Sequence, residues 1–150
     1  KLAVNTLEDL THGEFQPMIP EVKELENKKV ETLVVSVGKI YYDLYEMREE
    51  KGLNNFALVR LEEIYPFPAA KLAEIVATYP NVKDIVFVQD EPINQGYAFF
   101  VRDYLDIYKS KKVSVRYVAR EASASPAVGY NSVHVDQQNQ LLQQVFNIDL

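Results

Sequence analysis

The side chains able to do chemistry gather in four short stretches: Ser36-Val37-Gly38-Lys39, Arg60-Leu61-Glu62-Glu63, Gln89-Asp90-Glu91, and Arg120-Glu121 followed by ASASPAVGYNSVH. Each follows an apolar run. Carboxylates beside guanidiniums and amides can hold a ligand, move a proton or fasten two surfaces through charge-assisted hydrogen bonds. Fastening is the favoured reading, because no cofactor fingerprint accompanies them. Gly38-Lys39 lacks the preceding glycine and the following Ser/Thr of a phosphate loop, which leaves a tight turn. His12 and His134 stand far apart with no ligand spacing, so no metal site is expected. No Ser or Cys nucleophile pattern attends His134, and a structural role is expected for it. Tyr41, Tyr42 and Tyr45 read as packing with a polar rim rather than as a platform for bases.

The elements that must position these groups follow from periodicity. VETLVVSVGK is a β-branched strand ending in glycine, and KIYYDLYEMREEKG a helix with Ile40, Leu44 and Met47 on one face and Gly52 as its stop. FALVRLE, DIVFVQ and VSVRYVA are further strands. PAAKLAEIVATYP is a helix between Pro68 and Pro80; Gly96 to Tyr108 is another, with Phe100, Tyr104 and Ile107 on one side. Val133 to Phe146 closes the chain as an amphipathic helix on Leu141, Leu142 and Val145. Residues 1–29 read as an arm with a short helix around Thr6-Leu10 and a short edge strand near Phe15-Ile19; residues 30–150 read as an α/β domain. Strands alternating with helices predict a mainly parallel sheet covered on both faces, and right-handed crossovers bring all four polar stretches to its carboxyl edge.

Composition narrows the function classes. At 150 residues, 47% hydrophobic and 25% charged, the chain supports one core of ordinary globular type. A net charge of -6 argues against nucleic acid, and the basic cluster Lys109-Ser110-Lys111-Lys112 is too small to reverse it. The absence of cysteine removes disulfides, thiolate catalysis and iron–sulfur clusters, and fits a reducing compartment. No apolar run has membrane-spanning length, so a soluble protein inside the cell is expected.

Three ordered motifs add a family. VRLEEIYPFP (Val59 to Pro68), QDEPINQG (Gln89 to Gly96) and SASPAVGYNSVH (Ser123 to His134) resemble the C-terminal domain of the thiamine-diphosphate-dependent component of 2-oxoglutarate dehydrogenase, from about Thr6 to Phe146. Departures are Asp90-Glu91 for two glutamates, Tyr97-Ala98 for Ala-Trp, Ser36-Val37-Gly38 for Ser-Gly, and Glu121 where proline is frequent. The missing tryptophan puts in question any inter-domain contact built on that side chain.

The resemblance implies a three-layer α/β fold of transketolase C-terminal type, with a mostly parallel five-stranded sheet and one antiparallel strand. It also implies that Gln89, Asp90, Glu91, Asn94, Gly96, Arg120, Ser123, Ser125 and His134 serve domain contacts, with no catalytic or metal-binding residue among them. Thiamine diphosphate and magnesium would sit in preceding domains of the same chain, whose Gly-Asp-Gly…Asn-Asn motif is absent here, so the 150 residues alone should be inactive. The full protein would be a homodimer that decarboxylates 2-oxoglutarate and passes succinyl to the lipoyl group of the dihydrolipoyl succinyltransferase component. Its place would be the bacterial cytoplasm or, in a eukaryote, the mitochondrial matrix. The alternative is a regulatory module binding acetyl-CoA or an adenine nucleotide near the arm, Arg60 and Glu63, the last standing where glutamine is frequent. A stand-alone receiver domain would need an acid cluster after the first strand, and Ser36-Val37-Gly38 supplies none.

Overall fold

The computed structural model describes residues 3–148. After helix α1 (Leu7–His12) and strand β1 (Met18–Ile19) come β2 (Thr32–Ser36), α2 (Ile40–Lys51), β3 (Phe56–Leu61), α3 (Ala69–Thr78), β4 (Asp84–Pro92), α4 (Ala98–Leu105), β5 (Ser114–Arg120) and α5 (Asn131–Phe146). The sheet order is β1-β3-β2-β4-β5; β1 pairs antiparallel with β3 and all other pairs are parallel. This is the expected five-stranded, mostly parallel sheet.

The central strands are apolar on both faces because helices cover both. Leu33, Val35, Ala57, Val59, Ile85 and Phe87 point to one layer, where Leu72 and Ile75 of α3 and Val101 and Leu105 of α4 meet them. Val34, Leu58, Val86 and Val88 point to the other, against Ile40 and Leu44 of α2 and Leu141, Leu142, Val145 and Phe146 of α5. The strand period of two thus divides one apolar run between two cores.

Several local expectations change. In α4 the buried residues are Ala98, Val101 and Leu105, whereas Phe100 and Ile107 are exposed and Tyr104 is half-buried. The helix is turned from the expected face because its first N–H groups are held by Gln89, as described below. In α2 the innermost position goes to Arg48 rather than Met47. The edge strand is shorter than expected, and β4 runs on to Pro92 past a register break after Val88.

Arg48 is fully buried, and its charge is met by Glu21 of the arm, whose side chain is 2% exposed. The same carboxylate accepts the Leu58 N–H at 2.6 Å, while Arg48 Nη1 donates to Phe56 O at 3.4 Å. Where β1 stops, this ion pair therefore takes over the hydrogen bonding of the β3 edge. Lys23 adds a bond to Glu49 at 2.9 Å and another to Asn54 Oδ1 at 3.0 Å. Helix α1, by contrast, has a capping box between Thr6 and Asp9 but buries none of its side chains.

Candidate functional site at the carboxyl edge of the sheet

From β2 the chain moves to β3 on one side, and from β4 to β5 on the other, so the loops leaving β2 and β4 diverge at the carboxyl edge. Such a switch point is where open α/β sheets present polar groups. At the β2 exit Ser36 is buried and its hydroxyl donates to Val59 O at 3.1 Å. Gly38 then turns the chain at φ +75, and α2 begins without a side-chain cap.

At the β4 exit Gln89 is fully buried. Its Nε2 faces the carbonyls of Glu91, Pro92 and Gln95 at 3.2, 3.0 and 2.8 Å. Its Oε1 accepts the N–H groups of Tyr97 and Ala98 at 2.9 and 2.8 Å. One side chain thus closes the Glu91–Gln95 loop and caps α4 from outside the helix. A Cβ on Gly96 would lie 3.0 Å from both amide atoms, and Gly96 has φ +66, so glycine is required there on two counts. Asn94 and Ser123 bond reciprocally, Nδ2 to Ser123 O at 2.9 Å and Ser123 N to Asn94 Oδ1 at 3.0 Å, which ties the β4 and β5 exits together. Ser125 stays local, its hydroxyl donating to Ala127 O at 2.8 Å.

Arg120 organises the next group. Its Nε donates to Asp90 O at 2.7 Å, Nη1 to Gln137 Oε1 at 2.9 Å, and Nη2 to Gln138 Oε1 at 2.8 Å. His134 Nδ1 lies 3.3 Å from Arg120 Nη1 and must accept, since a guanidinium has only donors. The Asp90 carboxylate lies between Lys39 at 3.4 Å and Arg120 at 3.9 Å, yet its Oδ1 is buried without a hydrogen bond. Glu91 is exposed. Gln138 continues the chain to Asp43 of α2 at 2.7 Å. Asp43, Gln137 and Gln138 were not foreseen; the glutamines stand three and four residues after His134, a helical spacing that marks one face.

A second group lies beside the arm. The Arg60 guanidinium sits 4.8 Å from the Tyr41 ring centroid and donates to Tyr42 Oη at 3.0 Å. Its Nε lies 3.6 Å from Glu62, close enough for ion pairing but without a hydrogen bond. Burial pushes the Tyr41 hydroxyl pKa upward. A cavity of about 310 Å³ is lined by Arg60, Tyr41 and Tyr42 with Val4, Asn5, Val22 and Tyr45. Glu63 does not line it; its N–H donates to Pro17 O at 2.9 Å.

Among the described residues no group of three or more His, Asp or Glu side chains converges as a metal would need.

The sequence matches the 2-oxoglutarate dehydrogenase C-terminal family over residues 4–146. The 2-oxoglutarate dehydrogenase E1 component of Azotobacter vinelandii is 46% identical across 99% of the chain, and that of Cupriavidus necator 44% across 97%. The chain spans 16% and 15% of those relatives' lengths. Among solved structures, a chain described as "Split gene transketolase, inactive beta4 tetramer" superposes with TM-score 0.59 at 14% identity, covering 91% of this chain and 45% of that one, which shows a shared fold. With the motifs in order, the sheet as expected and the match nearly end to end, the chain belongs to the 2-oxoglutarate dehydrogenase C-terminal family.

Proposed function

We propose that these residues act as the C-terminal docking domain of a 2-oxoglutarate dehydrogenase E1 component. In that protein, preceding domains of the same chain hold thiamine diphosphate and magnesium, decarboxylate 2-oxoglutarate and pass succinyl to a lipoyl-bearing succinyltransferase. The domain supports the homodimer and presents its carboxyl edge, with Asp90, Glu91, Asn94 and Ser123, to its neighbours. The observation that carries this reading is the identity of 46% across nearly the whole chain to a protein of which it spans only 16%. The test is carbon dioxide release from 2-oxoglutarate by the full-length protein with thiamine diphosphate and magnesium. Activity that is lost when the chain is cut ahead of the arm supports it; no release from the intact protein would overturn it. The 150 residues alone should show no saturable heat of binding with thiamine diphosphate.

A second reading is favoured by Arg60, whose buried Nε has no hydrogen-bond acceptor beside the cavity under the arm. Acetyl-CoA or an adenine nucleotide would bring phosphate to this cation as an effector, displacing its loose pairing with Glu62. Titration of the full-length protein with acetyl-CoA and with AMP, beside Arg60→Ala, tests it. Equal signals from both proteins, or none, would end that reading.

A further inference from the structure

The exposed large apolar side chains are unevenly spread over this fold. Tyr65, 79% exposed, follows β3; Tyr97, Phe99 and Phe100 open α4; Tyr130, 77% exposed, and Val133 open α5. Because β2 to β5 are parallel, the strand exits and the helix starts that follow them all stand at the carboxyl edge. The amino edge carries Lys28, Lys29, Lys83 and Lys112 around an open depression. Ile107, just beyond the far end of α4, and Val22 of the arm, between Glu21 and Lys23, stand outside this division. Such a patch at one end of a domain, beside a polar network, has the make-up of an interface core and rim.

Three of these residues, Tyr65, Phe99 and Phe100, are braced in a ridge that Tyr97 adjoins in sequence. The Tyr65 ring meets Phe100 at 6.4 Å between centroids, Phe100 meets Tyr104 at 5.6 Å, and Tyr104 stacks on buried Phe67 at 4.2 Å. The Arg102 guanidinium lies 4.9 Å from the Phe99 ring centroid. The outer rings are thus held by inner ones, so little side-chain freedom remains to be lost on binding.

We infer that the ridge of Tyr65, Tyr97, Phe99 and Phe100 docks the polypeptide that precedes this domain in the full-length protein, an inference that rests on the proposed function above. The relatives carry the greater part of their length outside the matched region, and the matched family is C-terminal, so that length lies ahead of it. The arm arrives at the same edge: Pro17 O accepts the N–H groups of Glu62 and Glu63 at 2.9 Å each, and Gln16 and Phe15 line a cavity with Arg60 and Glu62. Leu7 and Leu10 of α1, one helical turn apart, are also exposed there. Val4 and Asn5 line a cavity with Tyr41, Tyr42 and Arg60, so what comes before the arm is delivered near the carboxyl edge rather than to the lysine edge.

The test uses single cysteines in the full-length protein: Tyr65→Cys and Phe99→Cys on the ridge, with Ile107→Cys and Lys112→Cys at the opposite edge as references. Maleimide labelling above the wild-type background should be about tenfold slower or more at the ridge, and should remain so on dilution through dimer dissociation. Equal rates would overturn the inference, and protection lost as the dimer dissociates would assign the ridge to a second copy of the chain. Should a variant misfold, hydroxyl-radical oxidation of Tyr65 in the wild-type protein gives the same answer: a rate near that of the unfolded protein refutes docking. Carbon dioxide release by the same wild-type sample reports separately on the proposed function.

Discussion

Gln89 concentrates more structural consequence than any other polar side chain at the carboxyl edge. Its amide serves three carbonyls and two N–H groups, so Gln89→Ala strands buried backbone groups and should cost about 2–4 kcal/mol in thermal or urea unfolding. Gln89→Glu separates the two halves of that role. A carboxylate can still accept from Tyr97 and Ala98, but only its protonated form can donate to the carbonyls. Burial raises the folded-state pKa of such a group, so the variant's stability is present at low pH and is lost as pH rises through that raised value. Its melting temperature, relative to wild type, should therefore fall between about pH 4 and pH 7, opposite to the usual behaviour of a carboxylate held by a cation. A pH-independent difference would show that the amide's donor side is dispensable. Gly96→Ala should destabilise by about 1–3 kcal/mol through the same contact and its positive φ.

Between elements, the Arg48–Glu21 pair joins the arm to α2 and β3. Glu21→Ala leaves a fully buried guanidinium and the Leu58 N–H without their acceptor, and should cost about 3–5 kcal/mol. Proteolysis within residues 14–24 should accelerate accordingly. Glu21→Leu combined with Arg48→Met removes the stranded charge and should recover most of that loss, leaving the Leu58 N–H as the residue of the effect. The exposed pair Lys23–Glu49 acts at smaller scale. The hydrogen bond from Lys23 holds the Glu49 carboxyl below its ordinary range, so its contribution is present above about pH 4.3 and is lost as pH falls through the lowered pKa. The stability gap between wild type and Glu49→Gln should be a few tenths to about 1 kcal/mol at pH 7 and should close as pH falls through that lowered value.

For the whole molecule, the two edges differ in kind. Asp90 has one oxygen buried without a hydrogen-bond donor, flanked by Lys39 and Arg120, and Glu91 next to it is exposed. A donor brought by a neighbouring domain would complete Asp90. On the proposed function, Asp90→Ala with Glu91→Ala in the full-length protein should weaken dimer or thermal stability by about 1–3 kcal/mol, since the donor that completes Asp90 would be left buried without its acceptor. Turnover per assembled enzyme should change much less. A large fall in turnover with melting and dimer content unchanged would instead place these residues in the reaction.

The alternation of β-branched runs with helical spacing determined the architecture, because strand period, helix period and glycine or proline punctuation are local properties of the chain. Crossover handedness then brought Ser36, Arg60, Gln89 and Arg120 to one edge without any knowledge of contacts. The partners of those residues were decided elsewhere. Gln89 reads as a group facing outward beside Asp90 and Glu91, yet the strand's period of two puts it on the face of Ile85 and Phe87, and its amide points inward to cap the start of α4. Nothing in the neighbouring residues marks Arg48 for burial; only the return of Glu21 from 27 residues earlier makes that burial tolerable. Side-chain types follow local rules, but a buried polar atom is satisfied by whatever the packed fold brings within about 3 Å, and that depends on chain segments remote in sequence.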